Sequence, residues 1–226
     1  MRFCKLHPFS IRFRCCTMST FQESQLRFTF PASWQVIAYD RHRFYQALSG
    51  RGLVGADFLG ILPSGDLLVI EVKNYTDPYS DRQLAQVPGF ITEQDRYLRR
   101  MARKLTDTLR SIRIFEQYLN RQWSYRLVRP YLSRLPRLFP DWHRWTRAAG
   151  LLDQPERIHY VLWLETPETL GGYSLDELSQ RKLLLEQQLR NTLRDTDTQV
   201  YVAWEQYRPT FLEEVQVEFV PRIVFE

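Results

Sequence analysis

Two apolar runs joined by one tight turn constrain this chain more than any other stretch in it. Residues 55–74 read Gly-Ala-Asp-Phe-Leu-Gly-Ile-Leu-Pro-Ser-Gly-Asp-Leu-Leu-Val-Ile-Glu-Val-Lys-Asn, with apolar runs at 58–62 and 67–70 on either side of a Pro-Ser-Gly-Asp turn. Short continuous apolar runs bounded by turn residues are expected of strands covered on both faces. Apart from Asp66 in the turn, charges sit only at the outer ends of the runs, as Asp57, Glu71 and Lys73. Burying an ionised carboxylate is costly unless it is paired or coordinates a metal, so two carboxylates and a lysine at strand ends mark a candidate site. If residues 63–65 form a three-residue loop with Gly65 left-handed, Asp57 falls opposite Glu71, and the side chains of Asp57, Glu71 and Lys73 share one face of the sheet. A four-residue loop would shift that register by one.

The remaining pattern predicts a scaffold around this hairpin. Alternation at 26–30 and the segment 34–39 read as short strands, and Asp40 is placed to cap a helical turn or two ending at Ser49-Gly50. Residues 74–88, with Pro78 and Pro88, read as a loop or broken helix. Leu98, Met101, Leu105, Leu109 and Ile112 then recur at three- and four-residue steps, which predicts a long amphipathic helix with Thr92 as its N-cap. Its polar flank carries Arg100, Lys104, Asp107, Thr108 and Ser111. The run 158–164 predicts another central strand, 175–193 a helix with a Ser174/Glu177 capping box, 199–204 a strand, and 215–223 an edge strand interrupted by Pro221. The expected organisation is a leader at residues 1–18, disordered or preceding a true start at Met18, and a single domain at 19–226. A helical insertion is expected at about 113–156.

Charge is distributed unevenly. Residues 96–147 hold 14 Lys or Arg against three acids, whereas 148–226 hold 7 against 14, within a chain of 226 residues and net charge +5. Such a local excess implies an anionic partner, most often nucleic acid or a membrane surface, the latter ranked last here. Within it, Arg121, Arg126, Arg129 and Arg134 are interleaved with Trp123, Tyr125, Tyr131, Trp142 and Trp145, a mixture suited to phosphate pairing and base stacking. An equally weighted reading is a helical cap with a solvated basic face and an aromatic core. The cysteines are confined to positions 4, 15 and 16, so the body has no disulfide framework, which favours a reducing, cytoplasmic location. No run of 18 apolar residues predicts a membrane span.

Two facing carboxylates repel each other, and a divalent cation relieves the repulsion. Mg²⁺ takes oxygen ligands, commonly one or two carboxylates with substrate phosphate oxygens. Asp57 and Glu71 are the candidate ligands, joined by the Val72 carbonyl, and Lys73 is placed to orient a water and offset charge in the transition state.

On these residues the chain resembles the PD-(D/E)xK nuclease superfamily, also called restriction-endonuclease-like. Gly55-Ala56-Asp57 matches the first acidic motif, with Ala56 where the family has proline, and Glu71-Val72-Lys73 matches the second. The resemblance implies an α/β fold with a central mixed sheet flanked by helices, dependence on Mg²⁺ or Mn²⁺, cleavage of DNA or RNA, and catalytic roles for Asp57, Glu71 and Lys73. Glu23 and residues 94–97 are loose candidates for the further acid or Gln and Tyr that many members carry. Lys104, Asp107 and Asp40 are accessory candidates, and Arg100, Arg121, Arg126, Arg129 and Arg134 are expected to contact nucleic acid. The alternative is a catalytically silent nucleic-acid-binding or protein-interaction module on the same fold. Oligomeric state stays open, with a dimer one option.

Overall fold

The computed structural model describes residues 18–50, 52–76, 88–132 and 138–221. Arg134, residues 1–17 of the expected leader and residues 77–87 of the loop after Asn74 lie outside them. Fourteen helices and strands are used below: β1 (Ser19–Glu23), β2 (Leu26–Phe30), β3 (Gln35–Ala38), α1 (Arg43–Ser49), β4 (Phe58–Ile61), β5 (Leu67–Asn74), α2 (Gly89–Thr92), α3 (Gln94–Asn120), α4 (Trp123–Val128), α5 (Pro140–Leu151), β6 (Ile158–Glu165), α6 (Leu175–Thr192), β7 (Gln199–Ala203) and β8 (Gln216–Phe219).

The central hairpin is β4–β5. Leu62 N–H donates to Asp66 O at 2.9 Å, which closes a three-residue loop at 63–65, and Gly65 has φ +90°. That conformation suits glycine because it has no Cβ. Ile61 pairs with Leu67 and Phe58 with Ile70. The paired ladder stops there: Asp57 lies just before β4 and its N–H donates to Ile70 O at 3.0 Å, so the expected pairing of Asp57 directly opposite Glu71 does not form.

Five strands form a mixed sheet in the order β3-β4-β5-β6-β7, antiparallel from β3 to β5 and parallel from β5 to β7. Each parallel step needs a crossover. The first runs through α3 to α5 and the second through α6, and both steps move across the sheet in the same direction. With crossovers of one hand, that direction puts both sets of helices on the same face. Leu67 and Val69 of β5 accordingly share a core with Met101, Leu105, Ile112, Trp145, Leu185 and Leu189.

The opposite face is covered by a second sheet. An antiparallel sheet of order β1-β2-β8 packs Phe28 and Phe30 against Phe58, Leu68, Ile70 and Trp163. The Phe28 ring centroid lies 5.2 Å from Phe58 and 5.4 Å from Trp163. The expectation of a sheet flanked by helices therefore needs correction: helices cover one face, and a sheet built from both ends of the domain covers the other. The alternation at 26–30 reflects this, since Leu26, Phe28 and Phe30 are the buried residues of β2.

Two expected helix caps also differ. Tyr39 O accepts His42 N–H, which places His42 rather than Asp40 before α1, where its ring Nδ1 accepts Phe44 N–H at 3.4 Å. Thr92 ends α2, and its hydroxyl reaches back to Pro88 O, so α3 begins after Glu93 with no side-chain cap. The Ser174/Glu177 capping box of α6 is present.

α3 runs to Asn120, so the helical addition proper starts beyond residue 113, and α4 and α5 fold back on α3. Its aromatic residues divide between two roles. Tyr125 and Trp145 are fully buried, with Trp145 between Phe44 and Phe115, whereas Trp123 and Tyr131 are exposed.

Phe28 is the hinge of the inter-sheet core, completely buried at the crossing of both sheets. Phe28→Ala should lower unfolding free energy by about 3–5 kcal/mol. Denaturant titration with an unchanged slope checks this.

Candidate metal centre

Asp57 is delivered by a clamped segment. Val54 N–H donates to Asp107 Oδ2, Gly55 N–H to the Tyr45 hydroxyl at 2.7 Å, Ala56 N–H to Thr108 Oγ1 at 3.0 Å and Asp57 N–H to Ile70 O at 3.0 Å. Four successive amides are thus held by α1, α3 and β5. Gly55 is required by close approach: a Cβ there would lie 2.7 Å from the Tyr45 ring and 2.9 Å from that of Tyr39. Asp57 Oδ2 in turn accepts Val72 N–H at 2.7 Å, which fixes the carboxylate against the neighbouring strand.

Glu71 sits between β4 and β6 with no exposed surface. Its Oε1 accepts from Lys73 Nζ and from Lys104 Nζ, the latter at 2.6 Å. Its Oε2 is buried and has no hydrogen-bond partner among the described residues. Lys73 Nζ also donates to the Val72 carbonyl at 3.0 Å. That carbonyl, expected as a metal ligand, would have to shed this bond to serve. Burial pushes the Asp57 carboxyl up to about 7, and the adjacent Glu71 charge adds to the effect.

A second group of acids meets Asp57. One carboxylate oxygen each from Glu23, Asp40 and Asp57 lies within 4.8 Å of the others. Asp40 Oδ1 is buried without a partner among the described residues, and burial followed by the Glu23 charge raises the Asp40 carboxyl. Glu23 itself pairs with Arg41 at 2.9 Å. It ends β1 just before a two-residue turn in which Ser24 and Gln25 have φ 49° and 64°, the pair of positive φ values of a type I′ hairpin. Neither residue is the glycine or asparagine that such a turn favours. The turn is secured from outside, by Asn74 Nδ2 donating to Ser24 O at 2.8 Å and Val220 N–H to Gln25 O at 2.8 Å.

The structure brings Asp57, Glu71, Lys73, Lys104 and Asp40 together, with Glu23 added. Asp107 serves elsewhere: it holds Val54 N–H and Arg103, so it supports the Asp57 segment rather than lining the centre. His42 is a helix cap whose imidazole is pushed down to about 4 by burial. Arg100 lines a cleft of about 650 Å³ with Arg96, Arg99, Arg103 and Lys104. Arg121 and Arg126 are exposed at the far end of α3 and on α4. Arg121 stands roughly 25 Å along the helix from Lys104, from a rise of about 1.5 Å per residue. Arg129 pairs with Asn120 and Glu116. Among the described residues, no helix is long and apolar enough to cross a membrane.

No family model matches the chain, and neither a curated protein nor a solved structure matches it. The case for a metal rests on the donor set. Carboxylate oxygens are the ligands that Mg²⁺ and Mn²⁺ take, and buried carboxylate oxygens without donors, Glu71 Oε2 and Asp40 Oδ1, are atoms for which a cation would supply the missing partner. Asp57 and Glu71, with Asp40 and Glu23 beside them, fit that group.

Asp57 holds its proton more tightly folded than unfolded, since its ordinary value is 3.8. This favours folding fully below about pH 4 and is lost as pH rises through about 7. In chelator, Asp57→Asn should therefore gain roughly 1–4 kcal/mol over wild type at pH 8, each tenfold in proton affinity being worth about 1.4 kcal/mol. The gain should vanish at pH 4. Denaturant unfolding across that range tests it, and a pH-independent difference would show that Asp57 is not the titrating group.

Proposed function

We propose that this chain is a metal-dependent nuclease of PD-(D/E)xK type, using Mg²⁺ or Mn²⁺ to hydrolyse phosphodiester bonds of DNA or RNA. The observation that carries this reading is Glu71: fully buried, one carboxylate oxygen without a partner among the described residues, near a second buried carboxylate, and two residues before a lysine on the same face. A structural ion pair accounts for the lysine but leaves the second oxygen and Asp57 unexplained. Exposed pairs of this kind are worth about 0–1 kcal/mol and do not require burial.

In this reading Asp57 and Glu71 hold the cation, with Asp40 and Glu23 alongside. A bound divalent cation supplies polarisation of the phosphoryl oxygen and a coordinated water of lowered pKa. Lys73 orients the attacking water and stabilises charge developing on the phosphoryl group. Its ammonium is already placed by Glu71 and the Val72 carbonyl, so little ordering is left for the reaction itself. The bonds of Asp57 to Ile70 O and Val72 N–H keep its carboxylate beside β5 near Glu71, and the clamp at residues 54–57 keeps Asp57 from turning away. The arginine-lined cleft beside Lys104 offers the substrate's phosphates a positive wall.

Single- and double-stranded DNA and RNA incubated with Mg²⁺ or Mn²⁺ provide the test. Cleavage should need the metal and should fall at least about 100-fold in Asp57→Ala and in Lys73→Ala, the scale on which removal of a group acting in the transition state registers. Residual cleavage equal in all three proteins would trace to contamination. Binding without metal-dependent cleavage would instead favour a silent nucleic-acid-binding module.

A further inference from the structure

We infer that Lys104 is a resident counter-cation of this centre, which a divalent cation must displace from Glu71 and which then turns to a phosphate of the substrate. The inference rests on the metal-centre reading above and adds to it how the centre is loaded. Lys104 comes from α3, not from the strand motif, yet its Nζ lies 2.6 Å from Glu71 Oε1, the atom that also receives Lys73. Both side chains are largely withdrawn from solvent, Lys104 at 15% exposure and Glu71 at 0%. Two ammonium groups converge on one oxygen while the other oxygen has no partner among the described residues.

Charge decides what happens next. Taken as ionised, Asp57 and Glu71 balance Lys73 and Lys104. A divalent ion entering beside both lysines adds two positive charges, of which Asp40 offsets only one because Glu23 already pairs with Arg41, and like charges a few ångströms apart in a buried volume repel strongly even at an effective dielectric of about 20. Lys73 is held additionally by the Val72 carbonyl, whereas the Glu71 oxygen is the only hydrogen-bond partner of Lys104 Nζ among the described residues. Lys104 is thus the one with less to lose. Its stem already borders the cleft shared with Arg96, Arg99, Arg100 and Arg103. Among the described residues neither Arg99 nor Arg100 has an acidic side chain within ion-pair distance, so a displaced ammonium there enters a surface made for an anion. Lysine suits such a move, being a compact charge on a flexible four-carbon stem.

Mn²⁺ binding to the full chain without substrate, followed by calorimetry or by the electron paramagnetic resonance signal of free ion, gives the first test. Lys104→Gln should bind Mn²⁺ at least about tenfold more tightly than wild type, and Asp57→Asn at least about tenfold more weakly. If Asp57→Asn binds as wild type does, the metal-centre reading itself fails. If Asp57→Asn weakens binding while Lys104→Gln leaves it unchanged or weaker, that reading stands and the displacement of Lys104 is overturned. Because Lys104→Gln removes a partner of a buried carboxylate and could fold poorly, a second measurement follows metal binding to wild type. The ¹³Cε and ammonium resonances of Lys104, assigned by their loss in Lys104→Arg, should move on titration with Mg²⁺ to a solvent-exposed position. Resonances that stay in place while Mg²⁺ saturates the protein would overturn the inference.

Discussion

The carboxyl of Glu71, placed in the middle of a five-stranded sheet without exposed surface, is the constraint around which the molecule is arranged. A charge there is tolerable only with partners, and the fold supplies them from two directions. Lys73 follows on the same strand, and Lys104 arrives from α3 across the sheet. For Lys104 to reach, α3 must cross β5 at a fixed depth, and its register is set by Met101 and Leu105 on the buried stripe and by Thr108, whose hydroxyl takes Ala56 N–H. The same helix that neutralises one carboxylate therefore anchors the segment carrying the other.

Much of this was legible from residue order. The hairpin and its turn were plain because both flanking runs are apolar, but the choice between a three- and a four-residue loop was open in the sequence and is decided by Leu62 N–H bonding Asp66 O. The amphipathic period of α3 and the capping box of α6 were equally plain, since both are local. What resisted reading was tertiary. Residues 26–30 read as a strand from their alternation, but nothing local shows that its buried side meets β5 and β6, so the sequence does not reveal that a second sheet covers that face. Asp40 stands where a cap is expected, and only the Tyr39–His42 turn reveals that it points to Glu23 and Asp57 instead.

The centre shows the same division. Glu71 and Lys73 lie two apart on one strand, where periodicity aligns them, whereas Asp57 comes just before β4 and is placed by the bonds of residues 54–57 and by Val72 N–H. Lys104 was visible as one polar residue on a helix flank, with nothing to separate its role from that of Asp107 three positions later. Their fates differ by side-chain direction: Lys104 reaches into the sheet, whereas Asp107 turns to Val54. Glu23 gave the weakest signal, since it ends a strand whose turn uses left-handed serine and glutamine in place of the usual residues. The arginine-rich segment divides by burial, a property that composition does not report. Tyr125 and Trp145 build core, whereas Trp123 and several arginines face solvent.

The pairing of β8 with β2 joins Leu26 to Phe219, so the small sheet is completed by residues almost two hundred positions away from those it flanks. During synthesis β2 has an open edge until the last strand emerges, and closing so long a loop is entropically slow. An open edge is a template for strands of other chains. The large sheet has no such dependence, because its strands are complete by residue 203. Vulnerability to misassembly is thus concentrated in the smaller layer, and a chain shortened before residue 216 would retain the hairpin carrying Asp57 and Glu71 while leaving the strand next to Glu23 unpaired on one side.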